Sequence, residues 1–254
     1  MPETQIYAIA QQKGGVGKTT TAINLGVALA ERGHRVLLVD LDPQGALTAG
    51  LGRNPLALTR TVYDVLREER LQFSEVIVAT PAGVDLAPAN IDLAAAEIEL
   101  SSEPGRERIL GEKLAPLSGV YRYILIDCPP SLGLLTLNAL TAATDVLIPV
   151  QTQYFALRGL DLLFSTIEKV KARINPGLVI RGVLPTMVDS RTIHSREVLD
   201  ELRNTYGQQV CKTVIPQTIK FADAQVAAQA IQSFAPTSPA AEAYRQLAME
   251  LEAA

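Results

Sequence analysis

"QKGGVGKTT", residues 12–20, follows the apolar run "IYAIA" (6–10) and leads into the helical pattern "TTTAINLGVALAERG" (19–33). A strand, a glycine-rich turn and a helix opened by Lys-Thr-Thr form the context of a phosphate-binding loop. Gly14, Gly15 and Gly17 allow backbone N–H groups to converge on phosphate oxygens without Cβ obstruction. Val16 lies between them, and Thr20 continues the helix start. The helix N-terminus adds positive partial charge. Lys18 supplies a full charge to the β- and γ-phosphates, and the Thr19 hydroxyl can ligate Mg²⁺. The pattern G-x-x-x-x-G-K-[ST] calls for glycine at position 12, where the chain has Gln12, and a second lysine, Lys13, follows it. Two uses are open for Lys13. It can make a local contact at the rim, or its stem can reach the phosphates of a second molecule docked face to face.

Outward from this loop, short apolar runs alternate with helical patterns. Strands are expected at 6–10, 35–42, 83–89, 121–130, 145–151, 178–186 and 212–216. Helices are expected at 19–33, 92–100, about 105–117, about 156–173, 193–204 and 238–252. Strands that are apolar throughout and separated by helices indicate a mainly parallel sheet covered on both faces. The expectation is one doubly wound α/β domain, a P-loop NTPase spanning 1–254. The more polar stretch 52–75 reads as surface helices.

Two strand ends carry the remaining acids. "YILIDCPP" places Asp127 after an apolar run, the Walker B position for a metal-binding carboxylate. "LLVDLDPQG" offers Asp40 and Asp42 at i, i+2, on one side of a strand. One can help hold Mg²⁺ through water and the other can orient the attacking water, the alternative being that one of them merely caps the following turn.

The 254 residues suit one large domain, and 48% hydrophobic with 20% charged residues is a soluble globular profile. No run approaches the roughly 18 apolar residues of a spanning helix, and the N-terminus lacks the pattern of a secretion signal. Cys128 and Cys211 lie far apart and read as buried reduced thiols. His34 and His194 are the chain's two histidines, too few for a zinc site. The net charge is −4, but residues 171–220 hold eight Lys/Arg against four Asp/Glu. Composition alone makes that stretch an ordinary solvated face.

Taken together, "QKGGVGKTT", "VLLVDLDPQG", "LAPANIDLAAAEIEL", "YILIDCPPSLGLLTLNALTAATDVLIPVQ", "ALRGL", "VLPTMVDSRT" and "IP" at 215–216 resemble the ParA/MinD ATPases, which carry a deviant Walker A motif. Within them the chain is most similar to the small chromosomal ParA proteins of Soj type. The resemblance spans nearly the whole chain and implies ATP and Mg²⁺ as ligands and an ATP-dependent sandwich homodimer, in which Lys13 contacts the partner's phosphates. It implies that Lys18 and Thr19 bind phosphate and Mg²⁺ and that Asp127 holds the metal through water. Asp42 would position the hydrolytic water and Asp40 would support the metal site. Met187 and Pro216 would flank the adenine. Non-specific double-stranded DNA and a ParB-type centromere-binding protein are the implied partners, with Arg191 and Lys220 at DNA-contacting positions of a cytoplasmic, nucleoid-associated protein. The chain departs from the pattern at "PQTIKFADAQV": Gln217 stands for an arginine, and Lys220 lacks the guanidinium fork. No helix-turn-helix domain is expected before the loop. A similar ATPase positioning a non-DNA cargo would carry the same motifs. A membrane-docking relative would need a basic amphipathic C-terminal helix, whereas "AEAYRQLAMELEAA" has three glutamates and one arginine. Iron–sulfur relatives would need a cysteine pair that the spacing does not offer.

Overall fold

The computed structural model describes residues 3–152 and 156–253. Among the described residues, seven strands form one sheet: β1 Gln5–Ile9, β2 Val36–Asp40, β3 Val78–Ala79, β4 Asp85–Ala87, β5 Tyr123–Asp127, β6 Asp145–Gln151 and β7 Val179–Thr186. The spatial order is β3-β4-β2-β5-β1-β6-β7. All neighbours are parallel except the short edge strand β3, which runs antiparallel to β4.

Eleven α-helices connect and flank the described strands. They are α1 Lys18–Glu31, α2 Ala46–Gly50, α3 Val62–Arg67, α4 Leu93–Glu99, α5 Ile109–Leu114, α6 Leu134–Ala142, α7 Ala156–Arg173, α8 Ile193–Tyr206, α9 Lys220–Val226, α10 Ile231–Phe234 and α11 Pro239–Ala253. Alternation along each strand sends side chains to two cores. Leu37, Val39, Ile124 and Ile126 meet α3 to α8 on one face. Tyr7, Ile9, Leu38 and Leu125 meet α1, α2 and α9 to α11 on the other. With both faces covered, β2 and β5 are buried at every residue, the condition under which a strand reads as an unbroken apolar run.

The structure corrects several sequence expectations. Residues 212–216 form no strand. They run beside β7 through Cys211 N to Val183 O at 2.9 Å and Ile215 N to Pro185 O at 2.8 Å. In between, the N–H groups of Lys212 and Thr213 donate to the Glu250 carboxylate of α11, at 2.6 and 2.9 Å, so the ladder is interrupted. The stretch 52–75 is not confined to the surface. A capping box between Thr61 and Asp64 starts α3, and Val62, Val65, Leu71 and Phe73 enter the core. The helix expected over 105–117 is α5 followed by a 3₁₀ turn over Ala115–Leu117, tightened at Pro116. Helices α2, α6, α9 and α10 went unread. In α6, "LLTLNALTA" carries no polar face to betray a helical period.

The last helix has no free apolar side. Ala240, Ala241, Tyr244, Leu247, Ala248 and Leu251 are buried, in one core with residues of α1. Arg245 pairs with Glu31 at 2.8 Å along the seam. No described helix is long and apolar enough to cross a membrane.

Candidate functional site

The parallel strands deliver three segments to one rim. In register, Asp40 stands beside Asp127 and Asp127 beside Ile9, so the two acids and the start of the glycine loop share one edge. This is the carboxyl end of the sheet beside its central strand, where doubly wound folds bind ligands.

The loop itself is built for an anion. Gly15 and Gly17 have φ of 72° and 90°, values that favour glycine. A Cβ at Gly14 or Gly15 would meet no atom within 4 Å, so the loop backbone there is open to its surroundings. Helix α1 starts at Lys18 without a side-chain cap, which leaves its first N–H groups facing that opening. Thr186 Oγ1, at the end of β7, donates to the Val16 carbonyl at 2.8 Å and fixes the crest of the loop. Gln12 Nε2 donates to Gly159 O at 2.9 Å and fixes its entry.

The two lysines differ in placement. Lys18 is buried, and its Nζ donates to the Lys13 carbonyl at 3.3 Å. Burial lowers its pKa, against the opposing pull of Asp127. Lys13 is half-buried at the loop mouth, and its ammonium makes no hydrogen bond or ion pair among the described residues.

The acids divide as sharply. Asp127 is fully buried, and neither carboxylate oxygen has a hydrogen-bond partner. Burial pushes its pKa well up, and neighbouring Asp40 pushes it further; the nearby Thr19 hydroxyl and Lys18 ammonium only offset this. An orphaned buried carboxylate facing a hydroxyl and a phosphate loop fits a hard divalent cation. Asp127 and Thr19 are therefore the residues that could hold Mg²⁺.

Asp40 is differently occupied. Its Oδ2 accepts Thr48 N at 2.8 Å and Thr48 Oγ1 at 2.6 Å, and its Oδ1 accepts Asp42 N at 3.2 Å. Burial lifts its pKa to about 6 despite these bonds. The metal-supporting role expected of it competes with this internal set of partners. Asp42 is only half-buried, and its Oδ1 accepts Gln44 N at 2.9 Å in a local turn.

Met187 and Pro216 meet in one pocket of 290 Å³ that adjoins the loop at Gly17 and Thr20; Phe221, Gln225 and Tyr244 complete it. Met187 holds a φ of 53°, a strained value for a residue with a side chain. The sequence offered no signal for Phe221, Gln225 or Tyr244, which come from α9 and α11. Nor did it single out Thr186 or Thr48.

Arg191 and Lys220 lie on neighbouring segments, joined by Val188 N to Ile215 O and Gln217 N to Val188 O, each at 3.0 Å. Both side chains are exposed. Arg191 is engaged by Asp189 through paired bonds of 2.9 and 2.8 Å, which hold the Asp189 carboxyl down at about 2. Lys220 opens α9. Cys128 and Cys211 are both free and buried, and the described residues contain no cluster of three metal-ligating side chains of the His/Cys/Asp/Glu type.

A mainly parallel sheet with this loop at the end of β1, and an acid at the end of the neighbouring central strand β5, defines a P-loop NTPase. The profile of a family described as an AAA domain matches residues 4–180. An uncharacterized protein of Mycobacterium tuberculosis is 50% identical over 97% of this chain and 78% of its own. The sporulation initiation inhibitor protein Soj of Bacillus subtilis is 46% identical over 98% of both chains. A solved Mycobacterium smegmatis protein named cobyrinic acid a,c-diamide synthase, with bound ADP and magnesium, is 46% identical, with a TM-score of 0.87 over 97% of this chain and 93% of its own. The chain belongs to the ParA/MinD superfamily of deviant Walker A ATPases, as a member of Soj type.

Proposed function

We propose that this chain is an ATP-driven switch of chromosome or plasmid partitioning. The observation that carries the reading is the pairing of a buried phosphate lysine, Lys18, with a second lysine, Lys13, whose ammonium has no partner among the described residues. A cation held at the rim without a local counter-charge suits an anion delivered from outside, here the phosphates in a facing copy.

In this reading ATP lies along the loop, its base between Met187 and Pro216 and its phosphates on the N–H groups of residues 14–20. Lys18 leaves the Lys13 carbonyl for the β- and γ-phosphates. Thr19 and Asp127 would hold Mg²⁺, which would supply positive charge to the β- and γ-phosphates. Lys13 crosses to the phosphates of the second copy and couples ATP occupancy to closure of the homodimer. Asp42 orients the attacking water from its half-exposed turn. The closed dimer binds duplex DNA without sequence preference through Arg191 and Lys220, contacts that weaken steeply with salt. A ParB-type partner accelerates hydrolysis, and the ADP form lets go.

The name of the Mycobacterium smegmatis relative supports a second reading, ATP-dependent amide synthesis on a corrinoid carboxylate. A relative named chromosome-partitioning ATPase Soj, from Thermus thermophilus and 48% identical over 97% of this chain and 94% of its own, favours partitioning.

The test is binding of random-sequence duplex DNA at low and moderate salt with ATP, ADP or no nucleotide, alongside Arg191→Ala and Lys220→Ala. The expected result is salt-sensitive binding with ATP alone, weakened in both variants. Absence of binding under every condition removes DNA from the reading. ATP turnover dependent on cobyrinic acid and an amide donor would replace partitioning with the second reading.

A further inference from the structure

We infer that Thr48 is a positioning residue for ATP hydrolysis: its hydroxyl holds the Asp42 turn in register with the phosphate site. The inference rests on the ATPase reading above and adds a residue to it.

Thr48 lies in α2 and is fully buried. Its hydroxyl joins three separate segments. It donates to Asp40 Oδ2 at 2.6 Å, at the end of β2, and accepts Ala89 N at 3.0 Å, just beyond β4. Its own N–H adds a second bond to the same Asp40 oxygen at 2.8 Å. The other Asp40 oxygen accepts the N–H of Asp42 at 3.2 Å. One carboxylate thus staples the residue that carries the candidate water-orienting group to the first turn of α2.

The turn between them is otherwise held by backbone and local bonds, with Leu41 N on Asp127 O at 3.0 Å and Gln44 N on Asp42 Oδ1 at 2.9 Å. Asp42 O accepts Gly45 N, and Gly45 O accepts Ala49 N, both at 2.9 Å. Gly45 has a φ of 63° and lies so close to Pro55 and the Ala89 carbonyl that a Cβ would stand 3.0 and 3.2 Å from them. The backbone is pressed against the 89 segment, and the Thr48 hydroxyl fastens the two together. Removing that hydroxyl leaves Ala89 N without its acceptor and Asp40 with one bond fewer, and frees the turn to shift. The glycine loop is fixed elsewhere, through Thr186 and Gln12, so nucleotide binding is anchored independently of Thr48.

A displacement of about 1 Å at a reacting group can lower a rate by roughly a hundredfold. Thr48→Val keeps the shape and deletes the hydroxyl; Thr48→Ser keeps the hydroxyl and deletes the methyl. Steady-state ATP hydrolysis by the full chain is measured for both, with KM for ATP and with Asp42→Asn for comparison. The expected outcome is a fall in kcat of at least tenfold for Thr48→Val at unchanged KM. Thr48→Ser should stay within about threefold of the native rate, whatever its melting temperature. Native turnover in Thr48→Val, or loss in Thr48→Ser equal to that in Thr48→Val, overturns the inference. If Thr48→Val does not fold, Thr48→Ser decides alone: a rate more than tenfold down overturns the assignment, and a near-native rate with native KM upholds it. A native chain that hydrolyses no ATP sinks the functional reading itself, whereas active native protein with an inert Asp42→Asn and a fully active Thr48→Val sinks only the Thr48 assignment.

Discussion

Asp40 and Asp127 stand opposite one another on neighbouring strands, both fully buried, yet the Asp40 carboxylate accepts three hydrogen bonds and the Asp127 carboxylate accepts none. The asymmetry separates a carboxylate built into the protein from one left open to a ligand. It also carries a cost in the nucleotide-free chain, because two buried acids side by side disfavour each other's charge.

Both folded pKa values are raised, so the native state binds more protons than the unfolded chain above the ordinary carboxylate range. Their contribution to stability is complete below about pH 4 and is lost as pH rises through the folded values. For Asp40 the window runs from 3.8 to about 6, equivalent to roughly 3 kcal/mol. Asp127→Asn removes the unpartnered charge and should raise the melting temperature of the nucleotide-free protein at pH 7 by several degrees. It should also flatten the pH dependence and abolish ATP hydrolysis. Thermal melts from pH 4.5 to 8 check this, and a lowered melting point at pH 7 counts against an uncompensated charge.

Lys13→Gln should leave the isolated chain as stable as before, since the ammonium holds no partner among the described residues. Its effect should appear only when ATP is added: light scattering behind a sizing column should show the native chain dimerising and the variant staying monomeric. A variant that dimerises normally returns Lys13 to a local role.

Thr186 Oγ1 holds the Val16 carbonyl from 170 positions away. Thr186→Val keeps the volume and deletes that bond, so the crest of the loop loses its anchor. ATP affinity should fall about fivefold to tenfold, equivalent to 1–1.5 kcal/mol, the usual worth of one hydrogen bond. Titration calorimetry with ATP and a slowly hydrolysed analogue measures it.

Arg191 is exposed but tied to Asp189. If Arg191 meets DNA phosphates, Asp189→Asn should release it and remove a negative charge from the same face. Non-specific duplex binding at low salt should tighten severalfold and steepen with salt. Unchanged affinity in Asp189→Asn, with Lys220→Ala weakened, would move the DNA face toward α9.

At Gly182 a Cβ would stand 2.5 Å from the buried Cys211 Sγ. Gly182→Ala should destabilise the chain by about 1–3 kcal/mol. Adding Cys211→Ala should recover part of the loss, because it removes the obstructing atom. Denaturant titration of the two single variants and the double variant gives the coupling, and strict additivity would contradict the clash.

The stretch 12–20 determined by itself that a strand, a phosphate loop and a helix follow one another. Turn geometry and helix-end electrostatics are local, and the residue types needed for them are adjacent in the chain. The strand-end acids Asp40, Asp42 and Asp127 were legible for the same reason, as were the runs "VLLVD" and "YILID", which are apolar because both faces of the sheet are covered. Other features depended on residues far apart. "KTVIP" has the composition of a strand, but the Glu250 carboxylate takes two of its N–H groups. The polar residues of α6, Thr136, Asn138 and Thr141, are scattered around it and gather on no one face, so it shows no period. Asp40 and Asp127 look equivalent in sequence, and only the neighbouring Thr48 divides their roles. The pocket beside Met187 and Pro216 draws on β7, α9 and α11. Local sequence fixes which chemistry is present; the packing of distant segments decides which of those groups is satisfied internally and which is left to meet a ligand.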